Sequence, residues 1–381
     1  MRIDDDARIR VRELERPAAD DSARELMGDL AAAAAIFSAH WREVLGCDDL
    51  AETAEQWRID WTAPSSWSQR YWVAELPGDG VVGYAQADLD EQDDASLAYL
   101  TIMVREGARR RGVGTALAEA VLPALAEAGR TRLESWQVHA ADGAEWIGAP
   151  SGFGRVPADD AVARFSRRFG LSLGQVVRMS VLDIGGDDGA AEIARLESVR
   201  AEAAEAAGPR YRVLSWVAPS PPERLSGLAA LAARMSTDEP SGGLEVVART
   251  FDEERVRRNE ARSAEKGSPL RYSVVEHIPS GELVAHSVLA VDLAHPERRA
   301  HQEDTLVLPE HRGRRLGWLV KTEGLLRLRE DHPECRGVIT WNAQENRPML
   351  AVNEQLGFRG IGFEGAWHGP NPRAGAAAAG T

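Results

Sequence analysis

An internal repeat constrains this sequence more than any other feature. Residues 104–114 resemble residues 307–317, and the two segments lie 203 residues apart. Upstream, residues 71–75 resemble residues 271–276 at nearly the same offset. Two copies at so long a period indicate two related domains rather than a solenoid, which needs at least three short units.

The boundary between the two copies is predicted in a stretch rich in Gly and Asp. Residues 183–190 read Asp-Ile-Gly-Gly-Asp-Asp-Gly-Ala, a composition typical of turns and linkers. We therefore predict domains over residues 1–182 and 193–370, joined by a linker over residues 183–192. Residues 371–381 are predicted to form a disordered tail.

Each half contains the same order of predicted elements. A hairpin of alternating strands precedes an apolar strand, a glycine-rich turn, a helix and a further strand. The matching strand, helix and strand are predicted at 97–104, 114–128 and 132–138, and at 302–308, 316–329 and 337–341. This order predicts an α/β (α+β) fold class, in which each domain is a mixed, mostly antiparallel sheet flanked by helices.

Composition narrows the class of protein. The formal net charge is −15, which argues against non-specific binding to nucleic acid or to an anionic membrane and suits a cationic substrate such as an amine. No apolar stretch is long enough for a membrane span, and we expect neither a transmembrane helix nor an ordinary secretory signal. Two cysteines cannot build a disulfide scaffold, and no His/Cys cluster has the spacing of a metal site. We expect a cytoplasmic protein without a bound metal.

The turn after residues 97–104 has the chemistry of a phosphate site. Gly112 and Gly114 lead directly into a predicted helix, so several backbone N–H groups are unpaired and the helix dipole adds positive potential. One interpretation is the dinucleotide fingerprint G-x-G-x-x-G, in which Glu134 would bind a ribose. The third glycine position is Leu117, however, and the turn follows the fourth predicted strand rather than the first.

The other interpretation is a family resemblance. The sequence R-x-x-G-x-G at residues 109–114 matches the pyrophosphate motif Q/R-x-x-G-x-G/A of the GNAT acyltransferase superfamily. Residues 307–317 resemble the same motif, and residues 346–358 resemble the family's second signature, which ends in Leu-Gly-Phe. The two copies cover roughly residues 8–182 and 193–368. The chain therefore resembles a tandem-domain GNAT N-acetyltransferase.

The resemblance implies acetyl-CoA as co-substrate, bound by the strand end and the turn of one or both halves. The implied residues of the first half are Ile102, Met103, Val104, Arg109, Arg110, Arg111, Gly112, Val113, Gly114 and Thr115. Those of the second half are Thr305, Leu306, Val307, Arg312, Gly313, Arg314, Arg315, Leu316, Gly317, Trp318 and Asn346. Arg315 stands where the first copy has Gly112, and an ordinary helical φ there would leave the backbone donors available.

The resemblance also implies where catalysis takes place. In this family the base is often a carboxylate or histidine on the strand before the turn, and the acid is often a tyrosine four residues before the Gly-Phe pair. The first half lacks both and has Ser166 at the tyrosine position. The second half has His301, Glu303 and Asp304 on its strand, and alternation would place Asp304 on the opposite face from the other two. Asn353 occupies its tyrosine position and can hydrogen-bond but cannot act as an acid.

We therefore predict that the second half is catalytic and that the first is a degenerate CoA-binding or structural partner. The predicted reaction is direct acetyl transfer from acetyl-CoA to a small-molecule amine in a ternary complex. Two alternatives stay open: a mycothiol-synthase-like acetyltransferase, and a non-catalytic CoA-binding or sensing protein, which the missing acids favour. The duplication is compatible with a monomer, as an internal pseudo-dimer, or with a homodimer. Residues 143–157, an insertion in the first half, are either a flexible surface loop or a lid, and we predict the flexible surface loop.

Overall fold

The computed structural model describes residues 8–16, 24–185 and 189–377. Contacts divide the chain into two compact units. Unit 1 consists of residues 1–150, 155–174 and 364–381, and unit 2 consists of residues 151–154 and 175–363. Each unit thus takes its closing strand from the other half of the sequence, so the units are discontinuous and do not coincide with the predicted boundary at residues 183–192.

The elements follow the predicted order closely. The first half contains β1 (Arg10–Glu13), α1 (Arg24–Leu45), α2 (Ala54–Thr62), β2 (Trp67–Leu76), β3 (Gly80–Asp90), β4 (Leu97–Val104), α3 (Val113–Glu127), β5 (Arg132–Val138), β6 (Trp146–Gly148), β7 (Arg155–Pro157), α4 (Ala161–Arg168) and β8 (Ser172–Asp183). The second half contains α5 (Gly189–Ala207), β9 (Tyr211–Val217), α6 (Leu225–Asp238), α7 (Glu253–Glu265), β10 (Leu270–His277), β11 (Glu282–Ala290), β12 (Ala300–Val307), α8 (Leu316–Asp331), β13 (Gly337–Ala343), α9 (Arg347–Gln355), β14 (Arg359–Pro370) and α10 (Ala374–Ala377). No helix in the described ranges is long and apolar enough to cross a membrane.

The sheet of unit 1 has the order β1-β2-β3-β4-β5 and is completed by residues 364–370 of β14. Its neighbours are antiparallel except β4 and β5, which are parallel. The core beneath α1 and α2 is aromatic: Trp57 and Trp61 are buried against Tyr71 and Tyr84. The mixed sheet predicted for each domain is confirmed here.

The sheet of unit 2 repeats this pattern in the order β9-β10-β11-β12-β13, completed by residues 177–183 of β8. Again one pair is parallel, β12 with β13, and the others are antiparallel. The sheet carries α6 and α7 over one apolar cluster and α8 and α5 over another. Both units therefore place a glycine- and arginine-rich turn between a central strand and the helix that follows it.

Three segments differ from the sequence-based expectation. The insertion at 143–157 contains the β6–β7 hairpin, because Ile147 and Val156 pair across it and Val156 is buried. The predicted tail begins with ordered residues: Asn371 is buried and its amide donates to the carbonyl oxygens of Leu122 and Arg130. Helix α5 begins at Gly189, inside the predicted linker, because its apolar face packs against α8. Residues 186–188 and 378–381 of the predicted linker and tail lie outside the described residues.

Candidate functional site

A cleft opens in unit 1 where two parallel strands separate. Strands β4 and β5 pair only from Leu97–Arg132 to Tyr99–Glu134. Beyond that point they diverge, and a cleft of about 940 Å³ lies between them and the start of α3. Every residue predicted to bind CoA in this half lines the cleft except Arg111. The guanidinium of Arg111 instead lies 3.3 Å from the carboxylate of Asp79.

The turn at the head of this cleft has two residues in the left-handed region. Arg110 has φ +65° and Gly112, the N-cap of α3, has φ +89°. A left-handed N-cap turns the chain so that the first N–H groups of the helix point outward, and a helix N-terminus with unpaired donors binds anions. The backbone of this turn therefore suits a pyrophosphate.

The side chain of Arg109 has a structural role. Its Nε donates to the carbonyl oxygen of Val104 at 3.1 Å, and its two terminal nitrogens donate to Glu43 at 3.1 and 2.8 Å. The hydrogen bond from Arg109 lowers the pKa of Glu43. Burial and the charge of Arg109 lower the pKa of His40, which lines the same wall. Arg109 therefore fixes the strand end to α1 and offers a ligand its backbone rather than its charge.

Other groups of the cleft supply charge and apolar surface. Arg110 and Arg164 line it, and neither forms an ion pair with any described residue. Phe165 on α4 lies over the turn, 3.4 Å from where a Cβ on Gly114 would stand, which is ordinary van der Waals contact. Ser166, at the family's tyrosine position, also lines the cleft. Apolar walls with a few cationic groups at one end suit a long, thin ligand with a phosphate head.

The turn of unit 2 has the same backbone path with the residue types exchanged. Gly313 has φ +79° and Arg315 has φ +55°, so Arg315 lies in the left-handed region and does not have an ordinary helical φ. Glycine and arginine thus alternate at two left-handed positions in both turns. Arg312 repeats the role of Arg109, because its Nε donates to the carbonyl oxygen of Val307 at 3.0 Å and it pairs with Asp238 at 3.5 Å.

The remaining residues predicted to bind CoA in unit 2 mostly have local structural contacts. Arg314 lies over the ring of Tyr211, and Arg315 pairs with Glu202 on α5 at 3.2 Å. Leu306 and Leu316 are buried, and Trp318 packs against the apolar clusters of α8. The side chain of Asn346 caps α9 by accepting a hydrogen bond from the Met349 N–H at 3.3 Å. Gly317 stays open, with the side chain of Val307 at 3.8 Å from a Cβ built on it.

Strand β12 has an irregularity that β4 lacks. Ser287 pairs with Thr305 while Leu289 pairs with Gln302, so β12 has one residue more than β11 over this stretch. In unit 1 the register between β3 and β4 runs without a shift. A β-bulge of this kind leaves backbone groups unpaired and redirects side chains. The predicted alternation of Glu303 and Asp304 between faces is therefore wrong, since both lie within the bulge.

Lys321 of α8 supports this bulge from beneath. Its side chain is 2% exposed, and its Nζ donates to the Oε1 of Gln302 at 3.0 Å and to the Oγ1 of Thr305 at 3.5 Å. The Nε2 of Gln302 in turn donates to the carbonyl oxygens of Val288 and Asp304 at 2.7 and 3.1 Å. Burial lowers the pKa of Lys321 to about 7. These bonds satisfy carbonyl and hydroxyl groups at the bulge and fix its shape.

The predicted catalytic residues of unit 2 are only partly brought together. Glu303 is solvent-accessible in a recess, where the surrounding protein and the charge of Asp304 raise its pKa. His301 lies 6.4 Å from the ring of Trp341. Asn353 is fully buried and its amide donates to the Oδ1 of Asn342 at 2.6 Å, while its own Oδ1 has no hydrogen-bond partner among the described residues. Asn353 therefore serves the α9–β13 packing and offers an acceptor, not a proton.

Sequence reasoning missed several residues of these sites. His40, Glu43 and Phe165 reach the cleft from helices whose approach to the turn no motif encodes. Lys321 gave a weak signal, as one of only two lysines in a chain whose basic residues are otherwise arginines.

The fold and the cleft define the class of protein: two units of the GNAT fold in one chain. Residues 33–145, within unit 1, match the family described as Acetyltransferase (GNAT) family. Among solved structures, a tandem GNAT protein from the clavulanic acid biosynthesis pathway, solved without AcCoA, is similar with a TM-score of 0.68 and 23% identity, over 96% of this chain and 99% of that one. A GCN5-related N-acetyltransferase from Sphaerobacter thermophilus is similar with a TM-score of 0.58 and 13% identity, over 95% and 96% of the two chains.

A more distant likeness is to Saccharomyces cerevisiae N-myristoyltransferase with bound myristoyl-CoA, with a TM-score of 0.55 and 12% identity over 94% of this chain and 78% of that one. No curated protein matches the sequence. At these identities the structural likenesses establish the tandem GNAT fold, which confirms the expected fold class, and the family match within unit 1 supports acyltransferase activity.

Proposed function

We propose that this protein is an acyl-CoA-dependent N-acyltransferase that transfers an acetyl group from acetyl-CoA to a small-molecule amine. The observation that carries the proposal is the cleft of about 940 Å³ in unit 1, which combines diverging strands with a left-handed turn at a helix N-terminus. The turn N–H groups and Arg110 would hold the pyrophosphate, and the apolar cleft would hold the pantetheine arm.

Acetyl transfer to an amine has three chemical requirements. The amine must lose a proton to a base, the oxyanion formed at the thioester carbon needs an N–H donor, and the thiolate must leave. We assign the base to Glu303 or Asp304, acting on acetyl-CoA held at the matching turn of unit 2, which repeats the two left-handed positions of the unit 1 turn. The bulge of β12 lies on the strand that leads into that turn and contains both carboxylates. The nitrogen lone pair forms the new C–N bond, the C–S bond breaks, and no covalent enzyme intermediate is required.

The test separates binding from turnover. Calorimetry with acetyl-CoA measures binding, and release of free thiol with a panel of amines measures transfer. We expect thiol release that depends on the amine and falls at least tenfold in Glu303→Gln or Asp304→Asn. Unchanged turnover in both variants would remove the catalytic assignment.

A second candidate function is a non-catalytic CoA-binding or sensing protein. It is favoured by Ser166 and Asn353, which stand where the resembled family often has its acid, and by the structural hydrogen bond of Asn353. Tight binding of acetyl-CoA without thiol release across the whole amine panel would support this candidate over the first.

A further inference from the structure

A recess on the α6 and α7 side of unit 2 gathers three carboxylates. Asp304 lies two residues before Leu306 on β12, and Leu306 packs into the apolar cluster beneath α6 and α7. The charge of Asp304 acts on the buried His286, which lies across from Leu306, so Asp304 lies on that same side. Glu239 directly follows α6, and Glu345 lies just after β13.

A glutamine side chain connects two parts of this recess. The Nε2 of Gln175 donates to the carbonyl oxygen of Pro240 at 2.7 Å and to the Oε1 of Glu345 at 2.8 Å. The segment after α6 is therefore held beside Glu345. The other oxygen of Glu345, Oε2, is buried and has no hydrogen-bond partner in the described part of the chain.

The recess has an excess of negative charge. Within the described ranges, Glu239, Asp304 and Glu345 form no ion pair with any Arg, Lys or His. Desolvation and the charges of Asp304 and Glu345 raise the pKa of Glu239 to about 7, although its side chain keeps contact with solvent. Clustered carboxylates without a counter-charge are costly unless a cation is supplied from outside.

A buried histidine beside the carboxylates gives an independent sign of a ligand. His286 is 3% exposed and lies directly across from Leu306, so it shares the face of Asp304. Its Nε2 has no hydrogen-bond partner among the described residues. Burial lowers the pKa of His286, so at neutral pH the ring is uncharged and presents a nitrogen that lacks its partner.

We propose that this recess binds the acceptor substrate, and that the acceptor is a cationic alkylamine that carries no carboxylate of its own. The proposal rests on the proposed function and names its substrate class. A primary ammonium has three N–H donors and no acceptor, which matches a recess of carboxylate oxygens. A carboxylate on the ligand would be repelled by the same groups, so diamines and polyamines bind and amino acids do not.

The test compares two probes that differ by one carboxylate. Calorimetry on the full chain, without acyl-CoA, measures the affinity for 1,4-diaminobutane and for ornithine, which is the same diamine with a carboxylate added. We expect the diamine to bind at least tenfold more tightly. Glu239→Gln and Asp304→Asn should each weaken diamine binding at least tenfold, since each removes a charged hydrogen-bond acceptor. Glu205→Gln, an exposed carboxylate on α5, is the matched control and should bind like the wild type.

The outcomes keep the two proposals separate. Diamine binding without thiol release from acetyl-CoA would support the proposed diamine site and contradict the proposed acetyltransferase activity. Three results would refute the proposed diamine site, whatever the measured turnover. They are equal affinity for ornithine and the diamine, no binding of the diamine, and recess variants that bind the diamine as tightly as Glu205→Gln. Circular dichroism of each variant excludes unfolding, and Glu345→Gln provides a second position if Asp304→Asn does not fold.

Discussion

Replacing Lys321 with methionine should change stability in a way that reverses with pH. Methionine preserves most of the buried volume but removes the amine and its bonds to Gln302 and Thr305. Burial lowers the pKa of Lys321 from 10.5 to about 7, which corresponds to a cost of about 5 kcal/mol for keeping the proton in the folded state. Because the folded pKa is depressed, this cost is complete below pH 7, falls as pH rises from 7 to 10.5, and is absent above that range.

The lost hydrogen bonds work in the opposite direction. Leaving the Gln302 oxygen and the Thr305 hydroxyl without their donor costs about 1–3 kcal/mol at every pH. Lys321→Met should therefore be more stable than the wild type by about 2–4 kcal/mol below pH 7. The difference should shrink by about 1.4 kcal/mol per pH unit between pH 7 and 10 and should change sign near the upper end.

Urea denaturation of both proteins between pH 6 and 9.5 measures this difference. Lys266→Met, which changes the only other lysine, is the control for the effect of losing a positive charge on stability. It does not serve as a control for turnover, because the charge of Lys266 acts on Glu303. In the same variants, turnover should fall on the order of tenfold in Lys321→Met, because a loosened bulge misplaces Glu303 and Asp304. If the stability difference between Lys321→Met and the wild type stays constant over this pH range, the lowered pKa of Lys321 is refuted. If the turnover of Lys321→Met equals that of the wild type, the role of Lys321 in supporting the bulge is refuted.

Three further predictions concern unit 1. Ala118→Lys should weaken acetyl-CoA binding to unit 1 in calorimetry, because Ala118 lines the cleft and a lysine there would project into it. The binding stoichiometry of the wild type shows how many sites the chain contains. Gly112→Ala should destabilise the protein by about 1 kcal/mol, because the φ of +89° at Gly112 disfavours a Cβ. Arg110→Gly should not destabilise it, because Arg110 also has a positive φ, which glycine adopts readily. Equal unfolding midpoints for these two variants would contradict this prediction. Trp367→Phe should cost about 1–3 kcal/mol in urea denaturation, because its Nε1 donates at 3.0 Å to the buried Nε2 of His139.

The sequence predicted most of the fold because its signals are local. The predicted strands 97–104 and 132–138 match β4 and β5 residue for residue, because runs of β-branched and apolar side chains bounded by turns favour strands. The residues predicted to bind CoA in the first half line one cleft because the motif itself forms the turn. The start of α5 was missed because a glycine- and aspartate-rich stretch gives no apolar periodicity before the helix begins.

Long-range contacts account for what the sequence could not supply. The exchange of closing strands between the units depends on pairings such as Gly365 with Gln137, which join residues far apart in the chain. The bulge of β12 depends on a comparison of two strands, and alternation within one strand therefore misplaced Glu303 and Asp304. The left-handed φ of Arg315 follows from the path of the whole turn, which overrides the preference of a side chain for negative φ.

The two copies have used one helix position in opposite ways. Ala118 and Lys321 occupy matching places, one turn after the final glycine of each motif. The alanine lines the cleft of unit 1, whereas the buried lysine of unit 2 donates to Gln302 and fixes the strand above it. A small residue at this point provides room for a ligand, whereas a long polar residue supports a distorted strand. One side chain cannot do both. The two copies therefore differ at this position, with a small residue beside the cleft of unit 1 and a buried lysine that braces the carboxylate strand of unit 2.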